Sequence, residues 1–228
     1  MPTLFLTGAS RGLGLEFTRQ YLAEGWTVHA CARDPGTPAL RDLADRAGDR
    51  LVRHRLDVAD FGAIKALAHD LDDVSFDLVI NNAGIFGPED QSFGTLDTEG
   101  WMETFAVNTL APVKILEALA AHVAAGGVIA TVSSQMGSIA DNRAGGYYAY
   151  RSSKAAVNAA MRSAAADLGG SGKIVVVVHP GWVRTDMGGA AAPLSPEQSV
   201  SALRRTLAGL TASDSGRFLN YDGKDLAY

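Results

Sequence analysis

Tyr150 and Lys154 stand four residues apart in Tyr150-Arg-Ser-Ser-Lys154. In a helix that spacing puts both side chains on one face, one turn apart. A tyrosine phenol titrates at about pH 10 and is a poor proton donor or acceptor at neutral pH. A lysine ammonium beside it lowers that value towards the working range. The pair is therefore a candidate proton-transfer centre. Tyr147 and Tyr148 lack such a partner, because Arg151 and Ser152 hold the places four residues on. They are candidates for pocket walls instead. Upstream, Val132-Ser-Ser-Gln-Met-Gly137 offers two hydroxyls, Ser133 and Ser134, able to donate to an oxygen on which negative charge develops. Asn108 precedes Pro112 by four residues. Proline has no N–H, so in a continuous helix the Asn108 carbonyl loses its partner and needs another donor, commonly water.

These groups require a framework. Apolar or β-branched runs at Thr3–Thr7, Thr27–Cys31, Leu51–Asp57, Leu78–Asn81, Val128–Ser133, Ile174–Val178 and Phe218–Leu219 read as strands. Helical patterns lie between them at Gly12–Glu24, Leu40–Ala47, Phe61–Leu71, Thr98–Ala124, Tyr148–Leu168 and Pro196–Leu210. This alternation predicts an α/β fold, a Rossmann-type doubly wound parallel sheet of about seven strands with helices on both faces. With 228 residues and no interdomain linker, residues 1–228 read as one domain.

Thr7-Gly-Ala-Ser-Arg-Gly-Leu-Gly14 follows the first strand and opens the first helix. Gly8 permits a tight turn, Gly12 lets the backbone approach a pyrophosphate, and Gly14 lets the helix pack on the strand. The helix N-terminus then offers unpaired amides and partial positive charge to phosphates. Asn81-Asn82-Ala83-Gly84 follows the fourth strand, where Gly84 permits close approach and the amides of Asn82 and its neighbours brace the backbone.

In order along the chain, Gly8-x-x-x-Gly12-x-Gly14, Asn81-Asn82-Ala83-Gly84, Tyr150-x-x-x-Lys154 and Pro180-Gly181 resemble the short-chain dehydrogenase/reductase family. The resemblance covers nearly the whole chain. The segments His179–Gly189 and Asn220–Gly223 are similar to its C-factor and sniffer-like carbonyl reductase branch. The resemblance implies that Tyr150 exchanges a proton with the substrate oxygen, while Lys154 grips the nicotinamide ribose. The family pattern Ser-x-x-Gly selects Ser134 over Ser133, and the Asn108 carbonyl is implied to hold a relay water. Asp57 is implied to contact adenine and Val58 to offer its amide, although Asp57 suits a cap of the next helix nearly as well. Ser10, Leu13, Ala83, Pro180, Gly181, Val183 and Thr185 complete the implied cofactor contacts. Ser134 and Tyr150 stand further apart than is usual in that family, which places the extra residues in Ala140–Gly146.

NAD-preferring Rossmann domains carry an acidic residue at the end of the second strand. Here that place is Ala32, followed by Arg33, with Arg11 nearby in the glycine turn. Two guanidiniums suit a 2′-phosphate, so NADP(H) is the expected cofactor; Asp34 is an alternative partner for Arg33. The expected activity is reduction of an aldehyde, ketone or quinone, a small-molecule carbonyl substrate. A dinucleotide-binding regulator and an NAD-dependent alcohol dehydrogenase are the alternatives.

A net charge of -5 and scattered basic residues argue against nucleic acid or an anionic membrane as partners. Cys31 is the only cysteine, which excludes an intrachain disulfide and points to a reducing, cytoplasmic setting. The five histidines show no ligand spacing, so no metal is expected. Ala155, Ala156, Ala159 and Ala160 permit close helix packing, either within one chain or between subunits of a homodimer or homotetramer.

Overall fold

Successive strand residues point to opposite faces of a sheet, and here both faces are apolar. In the computed structural model, which describes all 228 residues, Leu4 and Leu6 enter one buried cluster and Phe5 the other. Ile174, Val176 and Val178 likewise face one side, and Val175 and Val177 the other. Such strands need helices on both faces.

The strands are β1 (Thr3–Thr7), β2 (Thr27–Ala32), β3 (Leu51–Arg55), β4 (Phe76–Asn81), β5 (Val123–Val132), β6 (Ile174–His179) and β7 (Phe218–Asn220). The helices are α1 (Gly12–Ala23), α2 (Pro38–Ala47), α3 (Phe61–Asp70), α4 (Thr98–Phe105), α5 (Ala111–Leu119), α6 (Tyr148–Asp167) and α7 (Pro196–Ala208). All strand pairs are parallel, in the order β3-β2-β1-β4-β5-β6-β7. Phe17 of α1, Leu40 of α2 and Leu203 of α7 cover one face. Ile64 of α3, Ile115 of α5 and Met161 of α6 cover the other. The strand order reverses between β1 and β4, and ligands of open α/β sheets bind in the crevice at such a reversal.

The fold agrees with the doubly wound expectation, and three departures from the expected elements bear on the site. The stretch Thr98–Ala124 is not one α-helix. Between α4 and α5 lies a π-helical turn, Ala106–Leu110, in which the Ala111 N–H reaches back to the Ala106 carbonyl. Wide turns of this kind favour functional sites. The backbone keeps helical torsions into Ala111, so Pro112, in the first turn of α5, does not break the rod. By length and composition Thr98–His122 is long and apolar enough to cross a membrane. Val107, Ala111, Ile115, Leu116 and Leu119 instead bury its apolar stripe in the core.

Strand β5 begins at Val123, not Val128, and a register shift opposite Phe76–Leu78 absorbs Gly126 and Gly127. Strand β3 stops at Arg55, which leaves Asp57 in the following turn. There its carboxylate accepts from Ala59 N at 3.0 Å, and Asp60 caps α3. The helix-cap reading of Asp57 is thereby corrected. On α6, Ala155, Ala156 and Ala160 are half-buried and Ala159 is exposed.

Candidate active site

The glycine turn lies at the carboxyl end of β1. A Cβ on Gly14 would fall 2.0 Å from the Gly8 carbonyl and 2.7 Å from Asn82 Nδ2, so only glycine fits there. No group of the chain accepts from the amides of Ser10, Arg11, Gly12, Leu13 or Gly14. Five unpaired N–H groups at a helix N-terminus fit the phosphates of a dinucleotide. Thr7 braces the crevice: its hydroxyl accepts from Asn82 N and Ala83 N, both at 3.0 Å. Asn82 Nδ2 returns a bond to the Thr7 carbonyl at 2.9 Å. β1 and β4 are therefore clamped side by side where their order reverses. Gly84 faces Lys154, whose Nζ would lie 3.5 Å from an added Cβ.

The segment after β6 crosses this turn. Thr185 stands against Gly12, 3.4 Å from where a Cβ would be. Pro180 accepts a 2.6 Å bond from Ser199 at its carbonyl, and Gly181 is hemmed in by Leu194 and Tyr221. Val183 is buried and its N–H has no acceptor in the chain. Arg11 forms an exposed ion pair with Asp186 across the turn. Arg33 is exposed with no ion-pair partner, and the Asp34 carboxylate accepts from Gly36 N instead. The two guanidiniums thus differ: Arg33 is uncommitted at the end of β2, whereas Arg11 already has a carboxylate. Val58 is buried beside the exposed Asp57.

The structure brings Ser134, Tyr150 and Lys154 together at the carboxyl end of β5, each less than a tenth exposed. Ser134 starts a 3-10 turn, Gln135–Gly137, and its hydroxyl accepts from Met136 N at 3.1 Å. Ser133 points elsewhere, towards the Lys154 carbonyl at 3.5 Å. Gly137 lets this turn lie on α6, since a Cβ there would be 2.8 Å from the Lys154 main chain. Lys154 Nζ donates to the Val132 carbonyl at 2.9 Å and sits 5.8 Å from the Tyr150 ring centroid.

Electrostatics here run against one expectation. Burial pushes the Tyr150 phenol above its ordinary value, and the Ser134 hydroxyl acts in the opposite sense. Burial also pulls the Lys154 ammonium down to about 8. Burial sets the direction of the phenol's shift, and the Lys154 ammonium is aimed at the Val132 carbonyl.

Asn108, on the π turn, reaches the site through its side chain. It bonds both main-chain groups of Ile85, at 2.9 and 2.8 Å, and donates to Ser153 Oγ at 3.0 Å. Both its N–H groups are committed to these partners, and its Oδ1 retains one further lone pair. Phe86, next in that loop, lies on the Tyr150 ring with centroids 4.7 Å apart, and Tyr147 meets Phe86 edge-on at 5.4 Å. Tyr148 turns away to Phe93 and Trp101. Between the 3-10 turn and α6, residues 138–146 form a loop held by Arg151 at Gly145 O and by Tyr228 O at Ala140 N. Sequence reasoning missed Thr7, Phe86, Gln91 and Ser153 as contributors. Thr7 and Ser153 sit inside quoted motifs, whereas Phe86 and Gln91 carry no pattern.

Residues 2–193 match the short chain dehydrogenase family. The chain is a short-chain dehydrogenase. It is an oxidoreductase of that family, with carbonyl reductases among its structural relatives. It is similar to the C-signal of Myxococcus xanthus, 42% identical over 154 residues, which cover 67% of this chain and 92% of that protein. A carbonyl reductase from Pseudomonas aeruginosa PAO1 in complex with NADP superimposes with a TM-score of 0.91 at 36% identity over all of both chains. The carbonyl reductase Sniffer of D. melanogaster gives 0.93 at 31% identity, again over both whole chains.

Proposed function

We propose that this short-chain dehydrogenase reduces a small carbonyl compound, an aldehyde, ketone or quinone, with NADPH. The convergence of Tyr150, Ser134 and Lys154 in one buried corner, with Lys154 beside Gly84, carries the reading. The unpaired amides of Ser10 to Gly14 would hold the pyrophosphate, and Lys154, beside Gly84, the nicotinamide ribose. Val183 N–H and Thr185 would meet the cofactor from the segment above it, with Asp57 and Val58 at the adenine end. NADPH, when bound, supplies a hydride. Arg33, without a carboxylate partner, suits the 2′-phosphate, in keeping with the NADP found in the Pseudomonas relative.

Ser134 donates a hydrogen bond to the carbonyl oxygen, and the protonated Tyr150 phenol delivers a proton to it as charge develops. A phenol raised by burial remains protonated at neutral pH, which suits an acid working in the reducing direction. Lys154, as a cation below pH of about 8, favours the phenolate left behind. Asn108 holds the loop that carries Phe86 against the Tyr150 ring.

The test is loss of NADPH absorbance with a panel of aldehydes, ketones and quinones. Tyr150→Phe is expected to retain NADPH binding and lose about 10²–10⁴-fold in turnover. Tight NADPH binding with no turnover on any carbonyl would replace this reading with that of a dinucleotide-binding regulator.

A further inference from the structure

Helix α6 starts without a cap of its own. Its first N–H groups have no partner inside the helix, and a short polar side chain at the preceding residue normally accepts from one of them. Here that residue is Tyr147, which makes no such bond and holds a left-handed backbone, φ 51° and ψ 45°. It is the one non-glycine residue of the chain with positive φ. A bulky residue in that region is strained, and such strain gathers at functional sites. The acceptor comes from elsewhere: Gln91 Oε1 takes the Tyr150 N–H at 2.9 Å.

Gln91 is 5% exposed and its amide is used at both ends. Nε2 donates to the Phe86 carbonyl at 2.9 Å and to the Pro88 carbonyl at 3.1 Å. One side chain therefore fixes the Tyr150 main chain and also the residue whose ring lies on the Tyr150 ring. The Tyr150 carbonyl is held from the other side, by the Ser153 hydroxyl at 2.9 Å, itself bonded by Asn108. The loop from Ile85 to Gln91 is thus tied to α6 at two points, through Asn108 and through Gln91.

We propose that Gln91 is a positioning residue for the Tyr150 phenol, acting as a cap supplied in trans to the first turn of α6. The proposal rests on the reading of Tyr150 as the acid. Gln91 touches neither substrate nor cofactor in this assignment. It sets the height of the first turn, and so the position of the phenol relative to Ser134 and Lys154. Reactivity falls steeply with small displacements of reacting groups, by up to about 100-fold for an ångström.

Gln91→Leu keeps bulk and removes all three bonds. It is expected to cut kcat by about 10- to 100-fold with NADPH affinity unchanged, since the glycine turn lies on other elements. Gln91→Glu separates positioning from general damage. Its carboxylate still accepts from Tyr150 N–H but faces two carbonyls with no proton to donate; protonated, it donates to one of them. Its rate is expected to rise as pH falls through the carboxyl's titration, a limb the parent lacks.

Two readouts need no turnover: amide hydrogen exchange at Tyr150, and titration of its phenol by NMR of isotope-labelled tyrosine. Faster exchange and a displaced titration in a variant that still binds NADPH support the proposal. Unchanged exchange and titration, or kcat within about twofold of the parent, overturn it. If the parent itself reduces no carbonyl while both readouts respond, the positioning role stands and the proposed reaction fails.

Discussion

Asn108 grips Ile85 by both of its main-chain polar groups, N–H at 2.9 Å and C=O at 2.8 Å, as a strand partner would. The loop after β4 is thereby fastened to a helix rather than to the sheet. Asn108→Leu leaves both groups and the Ser153 hydroxyl without this partner. The expected cost is about 1–3 kcal/mol of stability by urea unfolding, with kcat lowered as well. Asn108→Asp retains the acceptor for Ile85 N–H and should fall between the two. Leucine with full stability would show the bracket to be dispensable.

Lys154 is a buried cation whose hydrogen bond is to one carbonyl. Lys154→Met removes the charge and should raise the melting temperature at neutral pH, by at least about 2 °C, while turnover collapses. The sign of its pH dependence follows from the value of about 8, which lies below that of a solvated lysine. Between the two values the unfolded chain binds more protons, so parent stability rises with pH there. The advantage of the methionine variant should therefore be constant below that window and shrink across it. Melting curves of both proteins from neutral to alkaline pH decide the matter; a gap that widens would contradict the assignment.

Arg33 and Arg11 should contribute unequally to NADPH preference. Arg33→Asp is expected to weaken NADPH by at least about tenfold and to improve NADH, by the loss of a charge-assisted contact. Arg11→Ala, whose partner is Asp186, should cost less than that. Titration of both variants with both cofactors reads the difference, and equal losses would mean that Arg11 leaves Asp186 for the phosphate.

Acid should weaken the fold through two buried histidines. His29 Nδ1 and His54 Nε2 lie 3.1 Å apart with stacked rings. Burial first, and His54 second, bring His29 down to about 4, and burial brings His179 to about 4 as well. Both stay neutral in the fold while the unfolded chain takes up protons from about pH 6.5 downwards. Stability is then lost as pH falls through that window towards 4. His29→Phe, packed on Phe76, should flatten the dependence of melting temperature on pH. An unchanged slope would assign the acid sensitivity to other groups.

The sheet and both helical layers were legible because β-branched runs, glycine punctuation and helical periodicity are local signals. The glycine turn and the Tyr150–Lys154 pair were legible for the same reason. The π turn at Ala106–Leu110 was not. Pro112 announced an interruption, but a wide turn differs from a kink by packing against α6 and the loop after β4, which no local pattern encodes. The direction of the Tyr150 shift was missed because four-residue spacing shows proximity without showing how deeply the phenol is buried or where the ammonium points. Gln91 was invisible because its partners are main-chain groups, which every residue carries alike.

The segment between β6 and α7 closes on itself. Arg184 N–H bonds the Leu194 carbonyl, Leu194 N–H bonds the Trp182 carbonyl, and the Arg184 guanidinium takes the carbonyls of Ala192 and Pro193. Within this segment Gly188 is fixed, its carbonyl bonded by Trp182 Nε1 and its Cα pressed on the Val183 carbonyl, so the exposed tip at Ala190 and Ala191 is the part free to vary. Side chains at that tip can be exchanged without moving Val183 or the start of α7, whereas any side chain at Gly188 would meet the Val183 carbonyl at 2.0 Å. Variation in this segment is thereby confined to a tip whose replacement the residues beneath it do not feel.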